Sequence, residues 1–168
     1  DVLIASKVEF SHLEGIAVTQ GPGLLGSLLV GHSLAKSLSL ALSIPLINVN
    51  HIEGHMLSCF LIETNVQEDS GLEFPYLCLT VSGGHTQIVR VDAPLRMEVI
   101  GATLDDAAGE AFDKVARVLG LSYPGGPEID RVARQGNPVY VRFPRGLTQH
   151  KDQAKHRYNF SFSGLKTA

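Results

Sequence analysis

Apolar and polar residues alternate along this chain in patterns that predict a mixed α/β structure. The apolar run 15–19 predicts a short buried strand, residues 24–42 predict a long helix, and residues 46–49 predict a second strand. A strand, a helix and a strand at this spacing predict a βαβ unit with parallel strands. Because His32, Lys36 and several serines interrupt the helix, we expect a core helix and not a membrane span.

The second half of the chain is predicted to centre on a β-hairpin. Residues 76–81 are rich in β-branched and apolar side chains, Ser82–Thr86 breaks this pattern, and residues 87–91 alternate strictly. A third strand is predicted at residues 97–100. The pattern therefore predicts a small antiparallel sheet after the βαβ unit.

A helix with one apolar face is predicted from about residue 104 to residue 119. Thr103 is expected to be its N-cap, with Asp106 at the N3 position. Two features disfavour this helix: Gly109 in its middle costs roughly 1 kcal/mol relative to alanine, and Asp106 repels Glu110 one turn away. We therefore expect another part of the protein to lie close against it.

Weaker signals follow this helix. Gly125 and Gly126 precede Pro127, which suits the first position of a helix predicted at residues 128–135. The free N–H groups at that start would suit an anion or a ribose, although an ordinary helix start explains the same residues. Residues 159–163 alternate as a strand, and residues 164–167 are expected to begin a helix.

Composition allows one domain or two small ones, since the chain has 168 residues of which 44% are hydrophobic. The acidic stretch 64–73 is expected to link two lobes, 1–70 and 71–168. Two cysteines without metal spacing predict a reducing, cytoplasmic location. The chain starts without Met and stops as a helix begins, so we expect a piece of a longer protein.

The net charge of −3 conceals an uneven distribution. Residues 1–130 carry 6 Lys or Arg and 16 Asp or Glu, whereas residues 131–168 carry 8 and 1. A basic end on an acidic body can face nucleic acid, or it can be a solvated loop. Composition leaves these two interpretations open.

A pair of histidines is the first candidate site. Asn50 is a good N-cap and Glu53 falls at N3 of a capping box, so His51 and His55 lie on one side of a helix start. This is the ligand geometry of a transition metal, but two histidines need a further ligand. The order H-x-E-G-H differs from the zincin H-E-x-x-H, and two partly exposed histidines remain the alternative.

Glycine-rich turns supply two more candidates. Gly83 and Gly84 between strands present backbone N–H groups that suit phosphate or carboxylate oxygens, although a plain hairpin also explains them. Gly21, Gly23 and Gly26 fit G-x-G-x-x-G after a strand. No acidic residue follows between 34 and 49 to hold a ribose, so we predict a tight turn and close helix–sheet packing and not a dinucleotide site.

Five ordered motifs together resemble the bacterial TsaD family of tRNA threonylcarbamoyladenosine synthases, once labelled O-sialoglycoprotein endopeptidases. The motifs are Asn50-His51-Ile52-Glu53-Gly54-His55, Val81-Ser82-Gly83-Gly84-His85-Thr86, Asp105-Asp106-Ala107-Ala108-Gly109-Glu110-Ala111-Phe112-Asp113-Lys114, Tyr123-Pro124-Gly125-Gly126-Pro127 and Phe160-Ser161-Phe162-Ser163-Gly164-Leu165-Lys166-Thr167. The resemblance covers essentially the whole chain.

The resemblance implies an actin/Hsp70-like ATPase (ASKHA) fold of two lobes, of which this chain holds the end of lobe one and the start of lobe two. It implies transfer of a threonylcarbamoyl group from threonylcarbamoyl-AMP, an ATP-type nucleotide ligand, to N6 of adenosine 37 in tRNAs that read ANN codons. The implied location is the cytoplasm, with no membrane. The implied partners are tRNA, a paralogous TsaB-like protein and a small TsaE-like ATPase.

The resemblance also assigns residues. His51 and His55 match two ligands of one divalent metal, described as Fe²⁺, with Zn²⁺ as the alternative. The adenylate-contacting hairpin matches Thr80, Val81, Ser82, Gly83 and Gly84, and the nucleotide contacts match Asp113, Gly126 and Asp130. No residue is assigned as a general base. We add the hypothesis that residues 131–157 contact tRNA.

The family's remaining nucleotide and metal ligands lie outside this chain. We therefore predict that the chain alone is inactive and binds metal weakly. A metallopeptidase and a non-enzymatic nucleotide-binding scaffold are the alternative functions, and a Rossmann oxidoreductase is a distant third.

Overall fold

The computed structural model describes residues 2–61, 71–148 and 154–167. The chain divides into two compact units, Asp1–Ser70 and Gly71–Ala168. Most of the predicted linker lies outside the described residues. The assignment of the two units to two lobes stays a prediction.

The first unit contains the predicted βαβ arrangement. Its elements are α1 (Val2–Ser6), β1 (Ile16–Gly21), α2 (Leu25–Leu42), β2 (Leu46–Asn50) and α3 (His51–Leu57), with 3-10 turns at Phe10–His12 and Ser58–Phe60. Strands β1 and β2 pair in parallel, with Ile16 opposite Leu46 and Thr19 opposite Val49. The parallel pairing is confirmed, and it places the start of α3 at the carboxyl end of β2.

Helix α2 contacts β1, but most of its surface is exposed. Ala35 is its buried residue among those described, while Leu29, Val30 and Leu34 are exposed. By length and composition, α2 is also the one helix in the described part of the chain that could cross a membrane, a test that core helices of soluble proteins pass too. The core-helix interpretation therefore stays a prediction.

The turn between β1 and α2 agrees only partly with the sequence analysis. Gly21 has φ of +154°, a value that few residues with a side chain adopt, as expected of a tight turn at a strand end. A Cβ added at Gly26 would meet nothing within 4 Å among the described residues. Helix α2 does contact β1, but Gly26 takes no part in the predicted close helix–sheet packing within this unit.

The second unit is a three-stranded antiparallel sheet with two helices. Strands β3 (Tyr76–Val81), β4 (Thr86–Ala93) and β5 (Arg96–Ala102) lie in the order β3-β4-β5, followed by α4 (Ala108–Val118) and α5 (Gly125–Ala133). Val89 and Val91 of the central strand are fully buried. The predicted hairpin and third strand are confirmed.

Helix α4 begins at Ala108, four residues later than predicted. The amides of Thr103 and Leu104 donate instead to the carbonyls of Thr86 and Phe160. The Thr103 hydroxyl donates to the carbonyl of Asp106 at 2.7 Å. Thr103 is therefore not the N-cap and Asp106 is not at N3, because distant segments compete for this stretch.

The other corrections concern the ends of elements. Helix α5 begins at Gly125, so Pro127 is its third residue and not its first. The strand predicted at 159–163 is reduced to a single bridge between Thr103 and Phe160. Residues Leu165–Thr167 form a 3-10 turn, which agrees with the helical start predicted there.

Candidate functional site

The histidine pair lies at the first turn of α3, immediately after β2. The Asn50 side chain accepts hydrogen bonds from the amides of Ile52 and Glu53 at 2.8 and 3.3 Å, which confirms the N-cap. The cap fixes where the helix begins and so places His51 and His55 on the same side. Their Nε2 atoms lie 3.1 Å apart, and their ring centroids 4.4 Å apart.

These two nitrogens fit a shared metal ion. Ligand nitrogens at about 2.0–2.1 Å from one ion lie about 3 Å from each other, which is the separation seen here. No group of three His, Cys, Asp or Glu residues suited to a metal occurs in the described part of the chain. The 3.1 Å separation is also that of a hydrogen bond between the two rings. The metal site therefore stays a prediction, and it would need ligands beyond this pair.

Glu53 does not complete the predicted capping box. Its amide donates to Asn50, but within the described ranges its carboxylate makes no hydrogen bond back to the Asn50 amide. The predicted capping box is therefore wrong, and only its N-cap half is formed.

A four-residue turn joins β3 to β4 at Ser82–His85. The Ser82 amide donates to the His85 carbonyl at 2.8 Å, and the His85 amide donates to the Ser82 Oγ at 3.0 Å. The amides of Gly83 and Gly84 donate to no described atom, and a Cβ on either residue would meet open space. Two adjacent, unblocked N–H groups have the chemistry to bind anionic oxygens.

The strand residues beside this turn differ in exposure. Thr80 is 8% exposed, with its hydroxyl 4.0 Å from the Cys78 thiol, whereas Val81 is 57% exposed. The Thr80 side chain therefore belongs to the sheet interior, and the turn itself supplies the accessible polar groups.

A second loop is held by α4. The Asp113 Oδ1 accepts a hydrogen bond from the Gly125 amide at 2.7 Å, which ties the start of α5 to the middle of α4. A Cβ on Gly125 would lie 2.6 Å from the Ala116 Cβ, whereas one on Gly126 would meet no described atom within 4 Å. Gly125 is thus required by packing, and Gly126 is open to a ligand.

A cavity of about 460 Å³ lies between α4 and this loop, and Asp113, Lys114, Arg117 and Gly125 are among its lining residues. Asp130 does not line it. Asp130 is exposed and pairs with Arg134 at 2.8 Å. The structure thus brings Asp113 and the Gly125–Gly126 loop together and leaves Asp130 on the surface of α5.

Asp106 forms ion pairs with two lysines in the second unit. Lys114 and Lys166 each place Nζ 2.6 Å from its carboxylate. Hydrogen bonds from these two ammonium groups lower the pKa of Asp106 to about 2. The Lys114 Nζ also lies 2.9 Å from the Glu110 carboxylate. Lys114 therefore pairs with both Asp106 and Glu110, and its positive charge offsets their predicted repulsion.

Asp105 holds the last described segment in place. Its carboxylate accepts hydrogen bonds from the Ser161 hydroxyl at 2.6 Å and from the amides of Phe162 and Ser163 at 2.8 and 3.1 Å. Burial opposes ionisation, but these hydrogen bonds outweigh it and lower the pKa of Asp105. The sequence analysis missed this role, because the partners are more than 55 positions away in the chain.

Comparison with known proteins identifies the family. A family model described as TsaD, tRNA N6-adenosine threonylcarbamoyltransferase, matches residues 1–168. The chain belongs to this family. The recognition made from the five motifs is therefore confirmed.

Bacterial relatives named tRNA N6-adenosine threonylcarbamoyltransferase are similar over nearly the whole chain. The protein of Trichlorobacter lovleyi is 56% identical over 161 residues, which are 96% of this chain and 44% of that protein. The proteins of Geotalea daltonii and Syntrophotalea carbinolica are 54% and 52% identical over 168 residues, all of this chain and 46% of each relative. The chain thus spans less than half the length of these relatives.

Proposed function

We propose that this chain is part of an enzyme that transfers the threonylcarbamoyl group from threonylcarbamoyl-AMP to N6 of adenosine 37 in tRNAs that read ANN codons. The observation that carries the proposal is the family match over residues 1–168. The relatives bear a transferase name, so the metallopeptidase and scaffold interpretations are not favoured.

The fold proposed for the whole protein is the two-lobed actin/Hsp70-like ATPase fold. A parallel βαβ unit and an antiparallel sheet with helices, in two separate compact units, support it. In this proposal residues 1–70 end lobe one and residues 71–168 begin lobe two.

In the proposed reaction, N6 of the adenosine attacks the carbamoyl carbon, the bond from that carbon to the phosphate oxygen breaks, AMP leaves, and N6 loses a proton. The amides of Gly83 and Gly84 would hold phosphate oxygens. Asp113, Gly126 and Asp130 would hold the nucleoside part of the adenylate. Positioning and electrostatic stabilisation would supply most of the rate, and we assign no general base.

His51 and His55 would hold one divalent metal, Fe²⁺ or Zn²⁺. A bound divalent ion polarises a carbonyl oxygen as a Lewis acid. The protein's contribution here is the N-cap at Asn50, which fixes where α3 begins and so places both histidines on one side of the helix.

The partner proposed for the basic segment 131–157 is tRNA. Arg142 and Arg145 lie in this segment, and in the described ranges neither has a carboxylate within 4 Å, whereas Arg131 and Arg134 are paired with Glu128 and Asp130. Unpaired guanidinium groups suit RNA phosphates. TsaB-like and TsaE-like partners and a cytoplasmic location complete the proposal.

In vitro transfer tests the proposal directly. The full-length protein, with the partner proteins of the same organism, would be incubated with threonylcarbamoyl-AMP and unmodified tRNA, and the nucleosides analysed by mass spectrometry. We expect threonylcarbamoyladenosine with wild-type protein and a loss of at least tenfold with Asp113→Ala. Absence of the product with every component folded and present would contradict the proposal.

A further inference from the structure

The first turn of α4 is built against the turn that joins β3 to β4. The Gly109 amide donates to the Ser82 carbonyl at 3.1 Å. A Cβ on Gly109 would lie 2.7 Å from the Ser82 oxygen, 2.8 Å from the Gly83 Cα and 2.9 Å from the Gly83 nitrogen. Any side chain at position 109 must therefore displace the backbone of Ser82 and Gly83.

The other side of the same turn is also held by α4. The Thr86 side chain is 3% exposed, and its Oγ1 accepts a hydrogen bond from the Ala108 amide at 2.9 Å. Two consecutive amides at the start of α4 thus bind residues 82 and 86, which flank the turn. These helix amides support the turn instead of binding a ligand themselves.

One turn further along α4, Asp113 binds the Gly125 amide. Residues 109 and 113 are about 6 Å apart along a helix axis. The two loops that would contact the adenylate are therefore fixed to one rigid helix, one at its start and one at its middle.

We propose that Gly109 is a positioning residue. Its missing side chain sets the position of the Ser82–Gly83 backbone relative to Asp113 and the start of α5, so that both parts contact one nucleotide. The inference rests on the proposed function. It explains the glycine in the first turn of α4, because the missing side chain is what allows the close approach.

Gly109→Ala in the full-length protein tests this inference. The displaced turn is expected to raise the KM for threonylcarbamoyl-AMP and the Kd for AMP at least tenfold, and to leave the KM for tRNA within twofold of wild type. A merely structural role would instead lower the active fraction, so kcat would fall while both KM values stayed the same. Gly26→Ala, where a Cβ meets nothing within 4 Å in the described part of the chain, is the matched control and should keep both KM values and the Kd for AMP of wild type.

Thr86→Val provides a second variant if Gly109→Ala does not fold. It keeps the side-chain shape and removes the acceptor for the Ala108 amide. We expect a smaller rise, about threefold to tenfold, in the KM for threonylcarbamoyl-AMP and in the Kd for AMP. A wild-type Kd for AMP in either folded variant would overturn the inference, as would equal rises in both KM values.

Failure of the proposed function gives a different result. If wild-type protein binds AMP but transfers no threonylcarbamoyl group, the proposed function is wrong, and the AMP affinities of the two variants still decide the positioning role. If wild-type protein neither binds AMP nor transfers the group, both proposals are wrong.

Discussion

At the scale of single residues, Gly101 shows how closely two distant segments approach each other. A Cβ at Gly101 in β5 would overlap the carbonyl group of Tyr158. The neighbouring contacts hold this approach in place: the Ala102 amide donates to the Asn159 Oδ1 at 3.1 Å, and the Phe160 amide donates to the Ala102 carbonyl at 3.0 Å. The end of β5 is thus a docking surface for residues 158–160.

Gly101→Ala is expected to destabilise the full-length protein by about 1–3 kcal/mol, because the added methyl group displaces a hydrogen-bonded segment. Urea unfolding followed by circular dichroism would measure the change. Gly26→Ala should not destabilise the protein, since Gly26 lies in α2 and alanine is favoured over glycine in a helix. Equal stability of the two variants would show that residues 158–160 do not dock at Gly101.

The lowered pKa of Asp106 predicts how the stability of the folded protein depends on pH. Its pKa is about 2 in the folded protein against an ordinary value of 3.8, so its ionised form stabilises the fold above about pH 4. That stabilisation is lost as the pH falls from 4 to 2. Asp106→Asn should therefore be less stable than wild type at pH 7, and the difference should vanish near pH 2. Urea unfolding at several pH values would measure it.

Glu14→Gln, which changes an exposed carboxylate in the first unit, is the control and should show a much smaller difference at pH 7. A difference between Asp106→Asn and wild type that persists unchanged at pH 2 would contradict the role of Lys114 and Lys166.

At the scale of elements, local signals predicted what lies next to them in the chain. The N-cap of α3, the hairpin and the parallel βαβ pairing all depend on neighbouring residues or on simple periodicity, and all are confirmed. Gly109 was predicted in the middle of the helix and lies in the first turn of α4, but the close neighbour expected there is confirmed.

The start of α4 could not be predicted, because Thr86 and Phe160 take the amides of residues that local patterns assign to the helix. The hydrogen bond from Gly125 to Asp113 likewise moves the start of α5. Such contacts leave no local signal. The candidate site was predicted through motifs and its supporting contacts were not.

The N-cap at Asn50 gives a prediction for α3. Asn50→Ala should destabilise this helix by about 1 kcal/mol and weaken metal binding, since the start of the helix orients His51 and His55. Asn50→Ser keeps a capping oxygen and should restore most of the affinity. Competition with a chromogenic chelator would measure the metal affinity of the full-length variants. Identical affinities of Asn50→Ala and Asn50→Ser would contradict the role of the N-cap in metal binding.

At the scale of the whole chain, basic residues are concentrated near the C-terminal end of the sequence. Residues 131–168 carry 8 Lys or Arg and a single acidic residue, Asp152. A groove in this end is lined by Arg142 and Arg145 together with apolar residues that include Val139 and Phe143. Its charge and exposed apolar surface suit an RNA backbone with accessible bases.

Removing both arginines should weaken tRNA binding and make it less dependent on salt. Each lost phosphate contact reduces the magnitude of the negative slope of log K against log salt by about 0.7–0.9, so Arg142→Ala/Arg145→Ala should make the slope about 1.4–1.8 less negative. Filter binding of tRNA by the full-length protein at several salt concentrations would measure the slope. Arg90→Ala/Arg96→Ala makes the same charge change on the β4–β5 strands and should leave the slope close to that of wild type.

The most direct test of the account is the amount of threonylcarbamoyladenosine in bulk tRNA, quantified by mass spectrometry. Cells depleted of the full-length protein would be complemented with wild type or with His51→Ala/His55→Ala. We predict that depletion abolishes the modification, that wild type restores it, and that the double variant does not. Unchanged modification after depletion would contradict the transferase function, and full restoration by the double variant would contradict the role of the histidine pair.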